Sequence, residues 1–373
     1  VPDEMTKEIY DSLQALPPYG IVTPLNQWST DPNVNTSVFR GTGIYPDTRV
    51  VLSDIEAIIS DGAGGAIIAL RTETYPHSGP IPVYGLNAQR IDTLGGVQWQ
   101  NNGVPISSSL HIPGSFAMTS DDAGGAIIVW EDYTYNCTTC IPGPHNLYAQ
   151  RVNRFGQVLW AADGVPVTAL PNELQEYSFS ITSDGQGGAI IVWPDHHSGT
   201  RSMYAQRINA SGVLRWTPGG VLIGTARINN VFGGTEKTTS DNAGGIITVW
   251  QDSRNGITNN SDLYAQRVDS AGVVQWTANG APICRTTYFQ SSQVIVGDGA
   301  GGAVVTWEDF RDGQAQGWVP DIYAQRIAST GIVQWDSNGV PISTLGKAKR
   351  YPKITTDGSG GAIIVFDYNR DDT

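Results

Sequence analysis

The sequence predicts an all-β protein assembled from repeated four-stranded sheets, and three recurring features carry that prediction. A glycine-rich turn leading into an apolar run occurs six times, at intervals of 57 to 63 residues, and its first aspartates are Asp61, Asp121, Asp184, Asp241, Asp298 and Asp357. The tripeptide Ala-Gln-Arg occurs five times, beginning at Ala88, Ala149, Ala205, Ala265 and Ala324. A tryptophan follows each tripeptide at constant spacing, as Trp99, Trp160, Trp216, Trp276 and Trp335. A period of this length filled with short strands is typical of a propeller or a solenoid.

One repeat, residues 292–343, shows how the four strands arise. Strand a is "SQVIVG", and after the glycine turn strand b is the β-branched run "GAVVTWED". After a variable loop, strand c is "IYAQRIA", where Tyr323, Gln325 and Ile327 share one face by alternation. A short turn then leads to strand d, "IVQWDSNGVPIS". Four antiparallel strands in this order form one blade of a β-propeller.

The counts of the motifs predict how the ring closes. Six glycine turns stand against five Ala-Gln-Arg strands, and the sixth repeat stops before its strand c. Residues 19–30, "YGIVTPLNQWST", align with strands c and d of the other repeats and place Trp28 at the strand d tryptophan. Pairing the first strands with the last removes two exposed edges. We therefore predict a six-bladed β-propeller whose closure blade is shared by the N- and C-terminal segments.

This fold predicts one domain over residues 1–373. Residues 1–18 form an N-terminal extension with a short helix over 3–16, residues 19–49 hold the closing strands and an insertion, and residues 50–373 are the repeats. A glycine turn that recurs six times is predicted to be a hairpin turn, where glycine supplies φ > 0, and not a phosphate-binding loop.

Composition and charge exclude several classes of protein. With 40% apolar and 15% charged residues the chain is too apolar to be disordered. Its net charge of −13 disfavours nucleic acids and anionic membrane surfaces, and no apolar run is long enough to insert into a bilayer. The three cysteines are Cys137, Cys140 and Cys284. For the first two, in "CTTC", a loop disulfide or free thiols are expected, because His145 would bring only a third ligand where structural zinc takes four.

The repeats resemble β-propeller repeat proteins that bacteria and archaea secrete, whose blades read roughly "DGxGGAIIVWED", then "DIYAQRID", then a tryptophan. The resemblance covers about residues 50–373. It implies a propeller fold and an extracellular or cell-surface location. It implies no single activity, because propellers carry many functions.

The loops predict which end of the propeller is functional. The a–b and c–d turns are short and nearly constant, whereas the b–c loops vary widely, covering residues 71–83, 132–146, 195–200, 252–262 and 309–321. All five histidines fall in b–c or d–a loops, as His77, His111, His145, His196 and His197. Trp318 is the one tryptophan that the repeat does not require. Because loops on a rigid scaffold carry function, the predicted ligand-binding residues are Trp318, His196, His197, His145, Asp309 and Asp132.

The recurring charged residues are predicted to be structural. Five arginines follow the glutamine of strand c, and four aspartates end strand b; such regular charges indicate pairs between strands. Glu131 and Glu308 beside those aspartates could act as the carboxylate pair of a glycosidase, but no catalytic residue is assigned. No Ser-His-Asp motif, P-loop or dinucleotide fingerprint is present. No cofactor is predicted, and the acidic loop ends could hold Ca²⁺ although no Asp-x-Asp-x-Asp loop occurs.

Three functions remain open. The leading expectation is a non-catalytic extracellular binding or adhesion propeller that meets a protein or glycan through its b–c/d–a face. The first alternative is a structural subunit of an extracellular or cell-surface assembly. The second is a carbohydrate-active enzyme, glycosidase-like or lyase-like, with its site at the central channel. The sequence leaves the oligomeric state open.

Overall fold

A computed structural model describes residues 49–75, 83–107, 112–136, 141–168, 179–195, 202–225, 236–254, 261–311, 319–343 and 349–368. All regular secondary structure in these ranges is β-strand, which confirms the all-β prediction. The predicted helix over 3–16 and the closing segment 19–30 lie outside the described residues, so both stay predictions.

The strands form six antiparallel sheets, numbered along the chain. Sheet 1 contains β1 (Arg49–Ser60), β2 (Ala66–Tyr75), β3 (Val83–Ile91) and β4 (Val104–Ser107). Sheet 2 contains β5 (Ile112–Ser120), β6 (Ala126–Asn136), β7 (Ile141–Val152) and β8 (Val165–Pro166). Sheet 3 contains β9 (Ser180–Ser183), β10 (Ala189–Asp195), β11 (Ser202–Ile208) and β12 (Val221–Thr225).

Sheet 4 contains β13 (Lys237–Ser240), β14 (Ile246–Asp252), β15 (Asp262–Val268) and β16 (Ala281–Cys284). Sheet 5 contains β17 (Gln290–Gly297), β18 (Ala303–Asp309), β19 (Asp321–Ile327) and β20 (Val340–Ser343). Sheet 6 has two described strands, β21 (Lys349–Thr356) and β22 (Ala362–Tyr368). In sheets 1 to 5 the spatial order equals the chain order, so each is a four-stranded meander of the kind that forms a propeller blade.

Two predicted boundaries differ from the structure. The b–c loops of sheets 1 and 2 are shorter than predicted, because β2 and β3, like β6 and β7, continue as strands into the ranges 71–83 and 132–146. Strand d was predicted from Ile332, yet β20 begins only at Val340. Before it, Val333 makes an isolated bridge to Ile327, and Asn338 and Gly339 both have positive φ, which interrupts the strand.

The glycine turn owes its shape to its aspartate and its second glycine. In sheet 4 the Asp241 Oδ1 accepts hydrogen bonds from the amides of Ala243 and Gly245, both at 2.8 Å. A side chain at Gly245 would not fit, because its Cβ would lie 2.2 Å from the carbonyl oxygen of Val268. The turn is therefore architectural, as predicted.

The apolar core lies between neighbouring sheets. Strand b alternates its contacts: Ile247 joins the cluster that contains Trp307 of sheet 5, whereas Trp250 joins the cluster that contains Ile190 of sheet 3. The b strands of sheets 2 to 5 are thus buried on both faces, which explains why their sequences are continuously apolar instead of alternating, whereas β22 of sheet 6 is half-buried and exposed in alternation.

The sheets belong to two compact units, one holding nearly all of sheets 1 and 2 and the other holding sheets 3 to 6. Within the second unit the a strands of successive sheets contact one another, β9 with β13, β13 with β17, and β17 with β21. The six-membered ring and the single domain stay predictions.

Candidate functional site

Buried carboxylates lie at the end of strand b. In sheet 5 the neighbouring ends of β18, β19 and β21 all fall within the described residues. Glu308 and Asp309 end β18, and Asp321 begins β19 directly opposite Asp309. Lys349 begins β21 of the next sheet. All four side chains are buried. We call these four residues the strand-end cluster.

Asp309 is committed to holding the chain. Its Oδ2 accepts a hydrogen bond from Trp307 Nε1 at 2.8 Å, and its Oδ1 accepts one from Arg311 Nε at 2.9 Å. The Arg311 guanidinium also lies over the Tyr323 ring, 3.7 Å from its centroid. Asp252, Arg254 and Tyr264 repeat the arrangement in sheet 4. The aspartate that ends strand b therefore anchors the start of the b–c loop.

Asp321 and Lys349 form a buried ion pair between sheets 5 and 6. The Lys349 Nζ lies 2.7 Å from Asp321 Oδ1, and the Lys349 amide donates to the Pro320 carbonyl at 3.3 Å. A buried lysine needs such a partner because desolvation opposes its charge. The pair fixes β21 against the start of β19.

Glu308 differs from the other carboxylates of the cluster because its partners carry no charge. Its Oε1 accepts a hydrogen bond from the Tyr351 amide at 2.7 Å, and its Oε2 accepts one from Ser291 Oγ at 3.3 Å. Among the described residues no cation pairs with it, and it is 2% exposed. Glu308 is thus a buried carboxyl held in place by two neutral donors.

In two other sheets the residue at the position of Glu308 also forms a hydrogen bond to the next sheet, but its side chain is not a carboxylate. Arg71 donates to the Gly114 carbonyl at 3.0 Å, and Gln251 donates to the Gln290 carbonyl at 2.6 Å. The contact itself belongs to the fold, since arginine and glutamine also make it. A carboxylate is not required for the contact, so the ionisable group at Glu308 is additional to what packing needs.

The arginines of strand c form ion pairs. Their partners are not the strand b aspartates that recur alongside them in the sequence. Each binds the aspartate of its own glycine turn: Arg90–Asp61, Arg151–Asp121, Arg207–Asp184, Arg267–Asp241 and Arg326–Asp298, at 2.7 to 3.0 Å. Burial raises the pKa of Asp298, but hydrogen bonds from the Ala300 amide and Arg326 outweigh it, so the pKa is lowered overall. The same balance lowers the pKa of Asp61.

Cys284 lies beside the strand-end cluster and is not a nucleophile at neutral pH. Its Sγ lies 3.7 Å from Asp309 Oδ2 and 3.6 Å from Arg311 Nη2. Burial, together with the Asp309 charge, raises the pKa of its thiol to about 12. A thiol, not a thiolate, is therefore present, and thiols react poorly.

Of the predicted ligand-binding residues, the structure describes the side chains of two. Asp309 is buried at the end of β18, whereas Asp132 is buried within β6, which continues to Asn136. His145 lies in β7, where only the backbone is described. Trp318, His196 and His197 lie outside the described residues, as do Cys137 and Cys140. Their assignment stays a prediction. The sequence predicts Asp309 as a ligand-binding residue and offers Glu308 as one of a possible carboxylate pair, whereas the structure distinguishes them by their partners, Arg311 for Asp309 and uncharged donors for Glu308.

The opposite end of the second unit has a polar cavity of about 440 Å³ among the glycine turns of sheets 3 and 4. Asp184 and Gln186 line it, and both already bind Arg207. Within the described ranges, no group of three or more His, Cys, Asp or Glu side chains is placed to hold a metal ion. No helix in the same ranges is long and apolar enough to cross a bilayer.

Comparison with known proteins gives similarity in structure alone. No family model and no curated protein matches the chain. A sucrose-6-phosphate hydrolase from Lactobacillus gasseri is similar in structure at 10% identity and a TM-score of 0.36, over 82% of this chain and 64% of that one. This chain therefore spans less than two thirds of that enzyme's length.

Two further similar structures are an α-L-arabinanase and a polysaccharide lyase. The arabinanase, from Penicillium chrysogenum, has 12% identity and a TM-score of 0.43, over 84% of this chain and 90% of that one. The lyase, Uly1, has 7% identity and a TM-score of 0.45, over 86% and 74% of the two chains. At these values no residue of this chain takes a role from them.

These matches correct the leading functional expectation. The prediction of a non-catalytic binding or adhesion propeller is wrong, because the similar solved structures include a succession of glycoside hydrolases. The enzyme alternative is the one that this finding favours.

Proposed function

We propose that the chain is a carbohydrate-active enzyme that cleaves polysaccharide at the strand b end of sheet 5, with Glu308 as the group that transfers the proton. The observation that carries the proposal is the surroundings of Glu308, a buried carboxyl that, among the described residues, accepts hydrogen bonds from two uncharged donors, the Tyr351 amide and the Ser291 hydroxyl. Asp309 and Asp321, which are paired with Arg311 and Lys349, serve to position the chain.

Cleavage of a glycosidic bond needs a carboxyl that can exchange a proton. In hydrolysis it gives a proton to the leaving oxygen, and in elimination it removes one from the sugar ring. Asp309 and Asp321 are already engaged in ion pairs with Arg311 and Lys349. Among the described residues Glu308 accepts hydrogen bonds from uncharged donors only, so it is the carboxyl of the cluster that no ion pair occupies.

The neighbouring chain supports the placement of a sugar here. The segment that joins β18 to β19 carries Trp318, and β18 and β19 bring its two ends together at the Asp309–Asp321 pair. An aromatic side chain is the usual stacking surface for a sugar ring, as it presents a large apolar face with a polar edge. The proposed enzyme acts outside the cell, in keeping with the acidic, lysine-poor sequence.

The proposal also includes the six-bladed ring that the sequence predicts. Six sheets would be six blades around one axis, with the glycine turns at one end and the b–c loops at the other. The repeat of the glycine turn supports it, as do the contacts between successive a strands within the second unit.

The test is product release from a panel of neutral and uronic-acid-containing polysaccharides, read by mass spectrometry. Hydrolysis adds water to each product, whereas elimination leaves an unsaturated sugar, so the masses identify the reaction. Glu308→Gln should lower the rate at least about 100-fold, the usual weight of a general acid or base. Asp367→Asn is the matched control: Asp367 occupies the same position of β22 but is exposed. No product from any substrate, or an unchanged rate in Glu308→Gln, would overturn the proposal.

A further inference from the structure

Strand β21 carries an aromatic residue in a backbone conformation that bulky residues rarely adopt. Tyr351 has a φ of 56°, in the left-handed region that favours glycine. It lies in a β-bulge, because the pairing with β22 shifts between Arg350 and Lys353. Glycine is the usual residue at such a position of a bulge. A tyrosine there costs backbone strain, and residues held under strain are concentrated at functional sites.

The bulge joins Tyr351 to the strand-end cluster. The Tyr351 amide donates to Glu308 Oε1 at 2.7 Å, and the residue as a whole is 62% exposed. An accessible aromatic residue therefore stands one hydrogen bond away from the carboxyl that we propose transfers the proton. Bulges beside active sites commonly re-aim a side chain in this way.

Sheet 5 has the same bulge without an aromatic ring. Ser292 has a φ of 53°, and the pairing of β17 with β18 shifts between Ser291 and Val294. Counted back from the aspartate of the glycine turn, Ser292 takes the position of Tyr351, and Ser115 takes it in sheet 2. A small polar side chain is therefore sufficient for the fold at this position, and the ring of Tyr351 is not needed for packing.

Basic side chains cluster in β21, in an otherwise acidic chain. The net charge is −13, yet three of the five lysines fall within residues 347–353. Lys349 is committed to its ion pair with Asp321. Arg350 and Lys353 are exposed, and neither forms an ion pair within the described part of the chain. Two cations of β21 are therefore available to a ligand.

The bulge places these cations beside the ring. A regular strand alternates its faces, yet Arg350 and Tyr351 are both exposed, as is Lys353. Asp367 lies opposite Arg350 in the ladder, but these two described residues form no ion pair. In sheets 2 and 5 the two basic positions hold small or apolar residues, namely Gly114, Ala117, Ser291 and Val294. The fold thus does not require a charge at either position.

We propose that Arg350, Tyr351 and Lys353, which we call the β21 subsite, bind an anionic sugar unit of the polysaccharide. The Tyr351 ring would lie against the apolar face of the sugar, and the two cations would attract its acid group. That group is either the carboxylate of a uronic acid or a sulfate ester. The inference rests on the proposed function, since it names the class of substrate that lies beside Glu308.

Binding is measured by titration calorimetry on the whole chain with Glu308→Gln, so that the polymer is not consumed. The probes are polygalacturonate, dextran sulfate and neutral dextran, which separate a carboxylate, a sulfate ester and an uncharged sugar ring. We expect one of the anionic polymers to bind at least about tenfold more tightly than dextran, and this preference to shrink as salt screens the charges.

Replacement of the ring tests the stacking contact. Tyr351→Gly should weaken binding of the anionic polymer at least about tenfold, because the ring is lost while the backbone amide at this position stays. Its Tm should remain within a few degrees of the parent, since glycine adopts positive φ without strain. Ser292→Gly is the matched control: it makes the same backbone change in the bulge of sheet 5 without removing a ring, and should leave binding unchanged.

Replacement of the cations tests the charge contact. Arg350→Gln and Lys353→Gln should each weaken binding of the anionic polymer about two- to fivefold, as is usual for exposed ion pairs, and leave binding of dextran unchanged. Lys237→Gln is the matched control, because Lys237 takes the position of Lys353 in β13 and is also exposed. It should leave binding of every polymer unchanged.

The outcomes separate this inference from the proposed function. Cleavage by the otherwise unmodified chain whose KM ignores Tyr351→Gly, or binding that does not distinguish the anionic polymers from dextran, would overturn the β21 subsite and leave the catalytic role of Glu308 standing. Binding that depends on Tyr351 and on charge, without any product from the unmodified chain, would support the subsite and overturn the proposed function. Neither binding nor cleavage with any polymer would overturn both.

Discussion

At the scale of single residues, the aspartate of the glycine turn has two tasks. In sheet 5 its Oδ1 accepts from the amides of Ala300 and Gly302, while its Oδ2 binds Arg326. One side chain thus shapes the a–b turn and ties strand c to it. Hydrogen bonds to an ionised group are among the stronger ones in proteins, so this residue is expected to contribute to stability in a pH-dependent way.

The pH dependence follows from the lowered pKa of Asp298. A carboxyl whose pKa is lower in the folded than in the unfolded chain stabilises the fold above its ordinary value of 3.8, and this stabilisation is lost as pH falls through the lowered value. We expect Asp298→Asn to lower the Tm at neutral pH. Its Tm should also fall less steeply than that of the unmodified chain below about pH 4.

Thermal unfolding followed across that pH range checks the prediction. Asp122→Asn is a suitable control, because the same turn position in sheet 4 is Asn242 and both residues have positive φ. Parallel pH curves for the unmodified chain and Asp298→Asn would contradict the assigned role.

A second prediction at this scale concerns Cys284. Because its thiol is buried and its pKa is raised to about 12, it should resist alkylation in the folded chain at neutral pH and react after unfolding. Mass spectrometry of iodoacetamide-treated protein, mapped to this residue, measures both states. Rapid labelling of the folded chain would show that the site opens.

At the scale of the sheets, the strand d tryptophans of sheets 1, 3 and 4 each donate a hydrogen bond to a turn carbonyl of the next sheet. Trp276 lies against Gly331 of sheet 5, where a Cβ would come within 2.6 Å of the ring, and it donates to Ser329. Trp335 has the same place in sheet 5 but is much more exposed. The two residues form a natural pair for measuring the contact between sheets.

We expect Trp276→Ala to destabilise the chain by about 3–5 kcal/mol, as is usual for a buried aromatic residue. Trp335→Ala should cost less than about half as much, because less of its surface is removed from water on folding. Denaturant unfolding of the two variants measures the difference. Equal losses in the free energy of unfolding would mean that Trp335 is as buried as Trp276.

How far the sequence predicts these elements depends on whether the signal is local. The apolar run of strand b and the glycine turn are local, and both were predicted in the right places. The start of strand d was not, because Asn338 and Gly339 turn the backbone between the tryptophan and β20. The partners of the arginines were missed as well, since a side chain's partner depends on register between strands that lie more than 20 residues apart.

At the scale of the molecule, residues that recur from repeat to repeat serve the fold, and positions that vary are not required by it. The strand b aspartates of sheets 4 and 5 and the strand c arginines hold loops and turns, so their recurrence is structural. The residue before the strand b aspartate is glutamate, proline or glutamine, and Arg71 takes the same position in sheet 1, where Thr72 replaces the aspartate. The sequence named Glu131 and Glu308 at this position but could not rank them, because the partners of a carboxylate come from the neighbouring sheet.

The most direct test of the account is a paired measurement of polysaccharide cleavage and Tm on Glu308→Gln. Glutamine can still accept from the Tyr351 amide and contact Ser291, so the contact between sheets 5 and 6 is kept while the proton is lost. The account predicts at least about a 100-fold loss of rate with a Tm within a few degrees of the unmodified chain. A variant that keeps its rate, or one that loses rate and stability together, would show that Glu308 serves the fold and not the chemistry.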